Sequence, residues 1–136
     1  MTRRYRGVWT VFRAVAVLFT VAVFTQPVLA GALLAGHYDM LRMHRVNGFA
    51  VAGLAATAAV VACAGWLMKT MPAKAIGPAA IMAAAATVQI LLGLHRKLIV
   101  HVPLGVLMTA GAVRLLRVTP AAPGLAADQQ QAGLRR

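Results

Sequence analysis

Among the side chains able to hold a metal or move a proton, the four histidines, His37, His44, His95 and His101, carry a recurring pattern. His44 is followed four residues later by Gly48, and His101 by Gly105. Each stands near the start of a long apolar run beside basic residues, Arg42 and Arg45 for the first, Arg96 and Lys97 for the second. Residues four apart share a helix face, so each pattern sets an imidazole beside bare backbone where a flat group can lie close. Two such helices entering a membrane from one side offer two facing imidazoles. Neutral imidazole is a good axial ligand for haem iron. The pattern therefore reads as a b-type haem site with His44 and His101 as ligands. Gly48 and Gly105 would clear space for the porphyrin edge, and Arg42, Arg45, Arg96 and Lys97 would pair with the propionates. A single interfacial histidine more often just sits among headgroups. Two at matched positions point to ligation, because polar groups within spans are usually functional.

The other candidates are weaker. His37 and His95 fall in connections, where a solvated surface role fits best, with alternative ligation or proton transfer as the sharper readings. Met40, Met43 and Met108 carry thioethers that can bind iron, but 7 methionines in an apolar chain need no such account. Gln26 and Gln89 lie late in apolar runs and need partners there, a hydrogen bond to the opposite hairpin or a contact with a cofactor. Cys63, alone and mid-run, reads as a small packed residue.

What must position these groups is a set of membrane spans. The 136-residue chain is 61% hydrophobic and 12% charged, where a soluble domain carries about 25% charged residues. Four apolar runs, at about 8–34, 40–68, 76–94 and 98–116, are each long enough to cross a hydrocarbon core. The fold class expected is all-α, a transmembrane four-helix bundle over residues 1–117, followed by a Pro-, Ala- and Gln-rich cytoplasmic tail, 118–136, that reads as disordered. An alternative for the first run is a cleaved signal peptide ending at Val28-Leu29-Ala30; the apolar run continues past that point, which favours a retained helix. Asp39 is placed to N-cap the second helix, Trp66 to anchor its far end at an interface. Small residues such as Ala50, Gly53, Ala55 and Ala58 suit close helix approach in lipid. Pro103 falls near the start of the fourth helix, where a missing N–H costs little.

Net charge is +12, from 14 Lys and Arg against Asp39 and Asp128. Such an excess in a soluble protein suggests nucleic acid, but there is no basic face interleaved with stacking aromatics. The cations flank the spans instead. With both termini cytoplasmic, Arg3, Arg4, Arg6, Arg13, Lys69, Lys74, Arg114, Arg117, Arg135 and Arg136 lie inside, ten of the fourteen. The positive-inside rule supports that orientation in a bacterial inner membrane.

The two halves echo one another. Gln26 precedes His44, and Gln89 precedes His101, each Gln late in an odd span and each His early in an even one. The halves read as two pseudo-repeated helical hairpins related by an axis along the membrane normal. That symmetry would bring the second and fourth helices together, with their histidines at equal depth.

With His44-Arg45 and Gly48 on the second span, and Gln89-Ile90-Leu91-Leu92-Gly93 leading to His101-Val102-Pro103-Leu104-Gly105, the chain resembles one half of the haem A synthase family over roughly residues 20–115. Those membrane enzymes have two four-helix halves, each with a histidine pair on its second and fourth helices near the outer face. This chain has one four-helix unit, and Leu41 stands where the family carries a glutamate one turn before the histidine. The resemblance therefore implies haem binding before oxidation chemistry. The layout also resembles that of small four-helix bacterial membrane proteins without a known role. Three functions follow: a bis-histidine haem b protein in electron transfer or haem handling, a cofactor-free accessory subunit of a larger respiratory or transport complex in the membrane, and a half-size haem A synthase-like enzyme acting as a homodimer. No Asp or Glu lies inside a span, and there is no Cys-x-x-Cys-His, phosphate loop, zinc pattern or nucleophile with a base.

Overall fold

The computed structural model describes residues 3–118; the tail expected at 118–136 lies, apart from Val118, outside them. The described residues form helices α1 (Arg3–Leu34), α2 (Met40–Leu67), α3 (Ile76–Leu94) and α4 (Leu98–Leu116), with a 3-10 turn, Ala73–Ala75, ahead of α3 and no strand. All four are long and apolar enough to cross a membrane. The test case is α4, with 19 residues: at 1.5 Å per residue it spans about 28 Å, against a hydrocarbon core of about 30 Å.

Helices adjacent in sequence pack side by side, and α4 closes back on α1, so α2 and α4 face each other only across the bundle diagonal. This up-down-up-down arrangement gives two distinct ends. The near end holds the start of α1, the α2–α3 turn and the close of α4. The far end holds the α1–α2 and α3–α4 turns and both His44 and His101.

All three turns end a helix in the same way. The residue after the cap takes a left-handed backbone: Gly36 (φ 95°), Lys69 (φ 55°) and Arg96 (φ 54°). The following N–H then reaches back to a helical carbonyl: His37 to Ala32 at 3.1 Å, Thr70 to Gly65 at 2.8 Å, Lys97 to Leu92 at 2.9 Å. These bonds satisfy carbonyls that a helix end otherwise strands. A non-glycine residue there costs roughly 1–2 kcal/mol, which Lys69 and Arg96 incur so that the chain reverses without a long polar loop.

Three local expectations are corrected. Asp39 occupies the cap position of α2 but makes no side-chain cap bond, because its backbone is already helical (φ −60°, ψ −28°). The first amides of α2 instead bond to turn carbonyls, Met40 to His37 at 3.0 Å and Leu41 to Tyr38 at 3.2 Å. Pro103 lies beyond the first turn of α4, so its missing N–H leaves the Ile99 carbonyl without its helical donor. Cys63 is exposed, since Ala55, Ala58, Ala62 and Gly65 form the packed stripe of α2 and residue 63 points about 100° away from its neighbour Ala62.

The core is built from alanines with a few large side chains between them. Ala55, Ala58, Ala62, Ala75, Ala79 and Ala112 are fully buried, and α1 fills the gaps with Trp9, Phe12 and Phe19. Small residues let helices come close, which strengthens dispersion contacts where lipid removes the hydrophobic drive. Val17, Leu18, Val21, Ile81, Val106 and Leu107 point outward, in keeping with helices apolar enough to cross a membrane. Threonines bond back along their own helices, Thr20 Oγ1 to the Ala16 carbonyl at 2.8 Å and Thr57 Oγ1 to Gly53 at 2.8 Å, so no hydroxyl of the two is left bare. The near end is pinned by Trp9 Nε1, which donates to the buried Thr70 carbonyl at 3.1 Å. Toward the far end burial thins, and residues 93–100 are all exposed.

Glycines seat two of the core methionines. A methyl at Gly65 would lie 2.7 Å from Met71 Cγ, close to the root of that side chain, whereas one at Gly111 would lie 2.5 Å from Met82 Cε, at its flexible tip. Overpacking of this kind costs about 1–3 kcal/mol. In thermal unfolding of the detergent-solubilised protein, Gly65→Ala is expected to be the more damaging, because the Met82 tip can turn aside and the Met71 root cannot.

Candidate functional site

The far end of the bundle brings together the residues with chemistry. The His44 and His101 rings lie with centroids 6.2 Å apart and planes inclined at 54°. They come from α2 and α4, the diagonal pair whose backbones do not touch, so the imidazoles bridge the middle of the bundle. Both are half-buried.

Each ring is set against the preceding helix. His101 Nδ1 lies 3.1 Å from the Gln89 carbonyl. A carbonyl only accepts, so Nδ1 carries the proton and Nε2 keeps its lone pair. Gly93, one turn on from Gln89, makes the space: a methyl there would lie 3.2 Å from His101 Cε1. The His44 ring lies against the Gln26 backbone, yet its Nδ1 is buried with no hydrogen-bond partner.

The glutamines complete the layer. Gln26 Nε2 donates to the His44 carbonyl at 3.2 Å, a bond within its own hairpin and not to the opposite one. Beside Gly48, Gln26 Nε2 sits 3.1 Å from where a Cβ would stand, and beside Gly105, Gln89 Nε2 sits at the same 3.1 Å. Each glycine thus admits a glutamine amide against the helix backbone. The side-chain oxygens of both glutamines are buried without a partner. Three acceptors or donors, Gln26 Oε1, Gln89 Oε1 and His44 Nδ1, are therefore left open in an apolar bundle, where an unmet polar atom costs about 1–3 kcal/mol.

Asn47 is a member of this layer that inspection of the chain passed over. Its Nδ2 donates to the Ala22 carbonyl at 2.8 Å and ties α2 to α1, one residue from the Val23 carbonyl that Pro27 leaves without its helical donor. The available signal was its type: an asparagine inside an apolar run needs a partner. Gly93 was likewise visible only as part of a motif, with no role assigned.

Arg42, Arg45, Arg96 and Lys97 are exposed at this end, the first two on the opening turns of α2 and the others in the α3–α4 turn. His37 and His95 are exposed in the two turns. Met43 is exposed and Met108 is buried in the apolar core. Among the described residues no three of His, Cys, Asp and Glu gather closely enough to hold a metal ion by themselves. No known protein family, curated protein or solved structure matches the chain.

The seat of His101 can be tested apart from any ligand. Gly93→Ala is expected to push the ring by a few tenths of an ångström and loosen its bond to Gln89, seen as a shift of the His101 Nδ1 resonance in 15N spectra. Gly53→Ala, with nothing within 4 Å of the added methyl, should leave it in place.

Proposed function

We propose that this chain is a membrane protein that binds haem b through His44 and His101 and serves electron transfer or haem handling. The observation that carries the reading is the ring pair itself, 6.2 Å between centroids. A metal–imidazole bond is about 2 Å, so at this spacing His44 and His101 would both be within reach of one iron. The His101 Nδ1 bond to Gln89 supports it further: a histidine ligand usually gives its second N–H to a carbonyl, which fixes the tautomer and raises its basicity.

The residues present fit the group. Two neutral imidazoles supply a low-spin donor set, three buried polar atoms lack partners, and four cations surround the end of the bundle. Bound iron would supply a one-electron couple. The chain's part is to hold the two imidazoles in register from diagonal helices, to fix the His101 proton on Nδ1, and to keep water out of the alanine-rich core beneath. Arg42, Arg45, Arg96 and Lys97 are available to propionates. The two Gln–Gly contacts at equal distance favour the pseudo-repeated hairpins, and with them the resemblance to one haem A synthase half. Leu41 stands where that family has its acid and brings no carboxyl group, which favours haem binding over oxidation. The basic residues of the near end support an inner-membrane protein with both termini cytoplasmic.

The spectrum of protein made with haem in excess tests this. A Soret band is expected, with His44→Ala and His101→Ala each altering the reduced spectrum and His37→Ala leaving it nearly unchanged. Arg42→Ala or Arg96→Ala should weaken haem retention less, since an exposed ion pair is worth about 0–1 kcal/mol. Absence of a Soret band would overturn the proposal in favour of a cofactor-free accessory subunit.

Orientation has its own test. A reporter fused after Arg136 should be active only in the cytoplasm, and periplasmic activity would mean a cleaved first segment or an inverted topology.

A further inference from the structure

At the near end, opposite the histidines, a groove of about 360 Å³ is lined by Lys74, Pro78, Arg114, Arg117 and Val118. Lys74 sits in the 3-10 turn before α3, Pro78 in the first turn of α3, and Arg114 and Arg117 on the last turn of α4 and at its cap. The groove therefore lies where α3 and α4 reach the edge of the apolar belt.

Three cations converge here, all with exposed heads. Asp39, the only acidic residue among the described residues, lies at the other end of the bundle. Like charges gathered in one cleft repel, and a bound anion relieves that repulsion. The start of α3 adds the positive end of a helix dipole. Guanidinium groups recognise phosphate by paired N–H donors, and lysine adds a point charge. Pro78 and Val118 give the groove an apolar wall, which suits a headgroup with glycerol and acyl chain attached. The backbone of the turn that leads to Lys74 is held in place by Trp9, which bonds to the Thr70 carbonyl, and by Met71 packed over Gly65.

We propose that the Lys74–Arg114–Arg117 groove binds a phosphate group, presented as the headgroup of an anionic phospholipid or as free phosphate from water. Basic clefts between helices at a membrane surface are suited to anionic headgroups. This site is independent of the histidine pair.

The test uses the full chain in a neutral detergent, titrated separately with phosphatidylglycerol, phosphatidylcholine and inorganic phosphate, with melting temperature and native mass spectrometry as readouts. Phosphatidylglycerol is expected to raise the melting temperature and remain bound in the gas phase, and phosphatidylcholine to do neither. Lys74→Gln with Arg117→Gln should weaken phosphatidylglycerol binding roughly ten-fold or more, while Arg6→Gln with Lys69→Gln, an equal charge loss at the same end, should leave it largely intact. Lys74→Arg with Arg117→Lys, which keeps both charges, should retain it and guards against a folding artefact. Inorganic phosphate giving the same Lys74- and Arg117-dependent shift would assign the site to a soluble anion. Equal weakening by both glutamine pairs, or no stabilisation by any phosphate, would overturn the proposal.

Discussion

A polar atom inside an apolar bundle has no water to turn to, and the far end of this protein is arranged around that constraint. Gln26 finds the His44 carbonyl, Asn47 the Ala22 carbonyl and His101 the Gln89 carbonyl. Every one of these bonds ends on a backbone oxygen of the neighbouring helix, so they join helices within each hairpin. The link across the diagonal is left to the two imidazoles. Their spacing therefore depends on how each hairpin seats its own histidine.

The two seats are alike in kind: each ring lies against the backbone of a glutamine on the preceding helix, His101 with Nδ1 at 3.1 Å from the Gln89 carbonyl beside the bare backbone of Gly93, and His44 beside Gln26 with its Nδ1 short of bonding geometry. Gly48 and Gly105 have a shared part in this. Each lets a glutamine amide approach the backbone where a methyl would press on it, and each glutamine then leaves one oxygen open.

The two ends of the bundle divide the work. The near end is dense, with Trp9, Phe12, Phe19 and the alanine stripes packed together. The far end is thinly buried and carries the polar layer. The close-packed alanines of the near end supply the rigidity that the open far end lacks. The tight turns serve the same purpose, since Lys69 and Arg96 accept a left-handed backbone to keep the connections short.

Much of the architecture could be read from the chain. Apolar runs separated by basic turns give four helices, and hydrocarbon length sets how long they must be. The positions of His44 and His101 early in alternate helices also put them at one end of any antiparallel bundle. Facing was harder to read. A helix that is apolar all round has no polar face to mark its outside, so Cys63 could not be told from its buried neighbour Ala62, nor Gly93 recognised as the seat of an imidazole. The same lack hid Asn47's partner, because spacing within one helix says nothing about which carbonyl of the next helix its amide will reach. Sequence alone determined the number of helices, the extent of the last three to within a residue, and the end that carries the histidines, whereas α1 begins at Arg3 and not at the apolar run's start near residue 8. The tertiary structure decided which helices stand diagonal and how near the two rings come, because that depends on which small residues let which backbones approach.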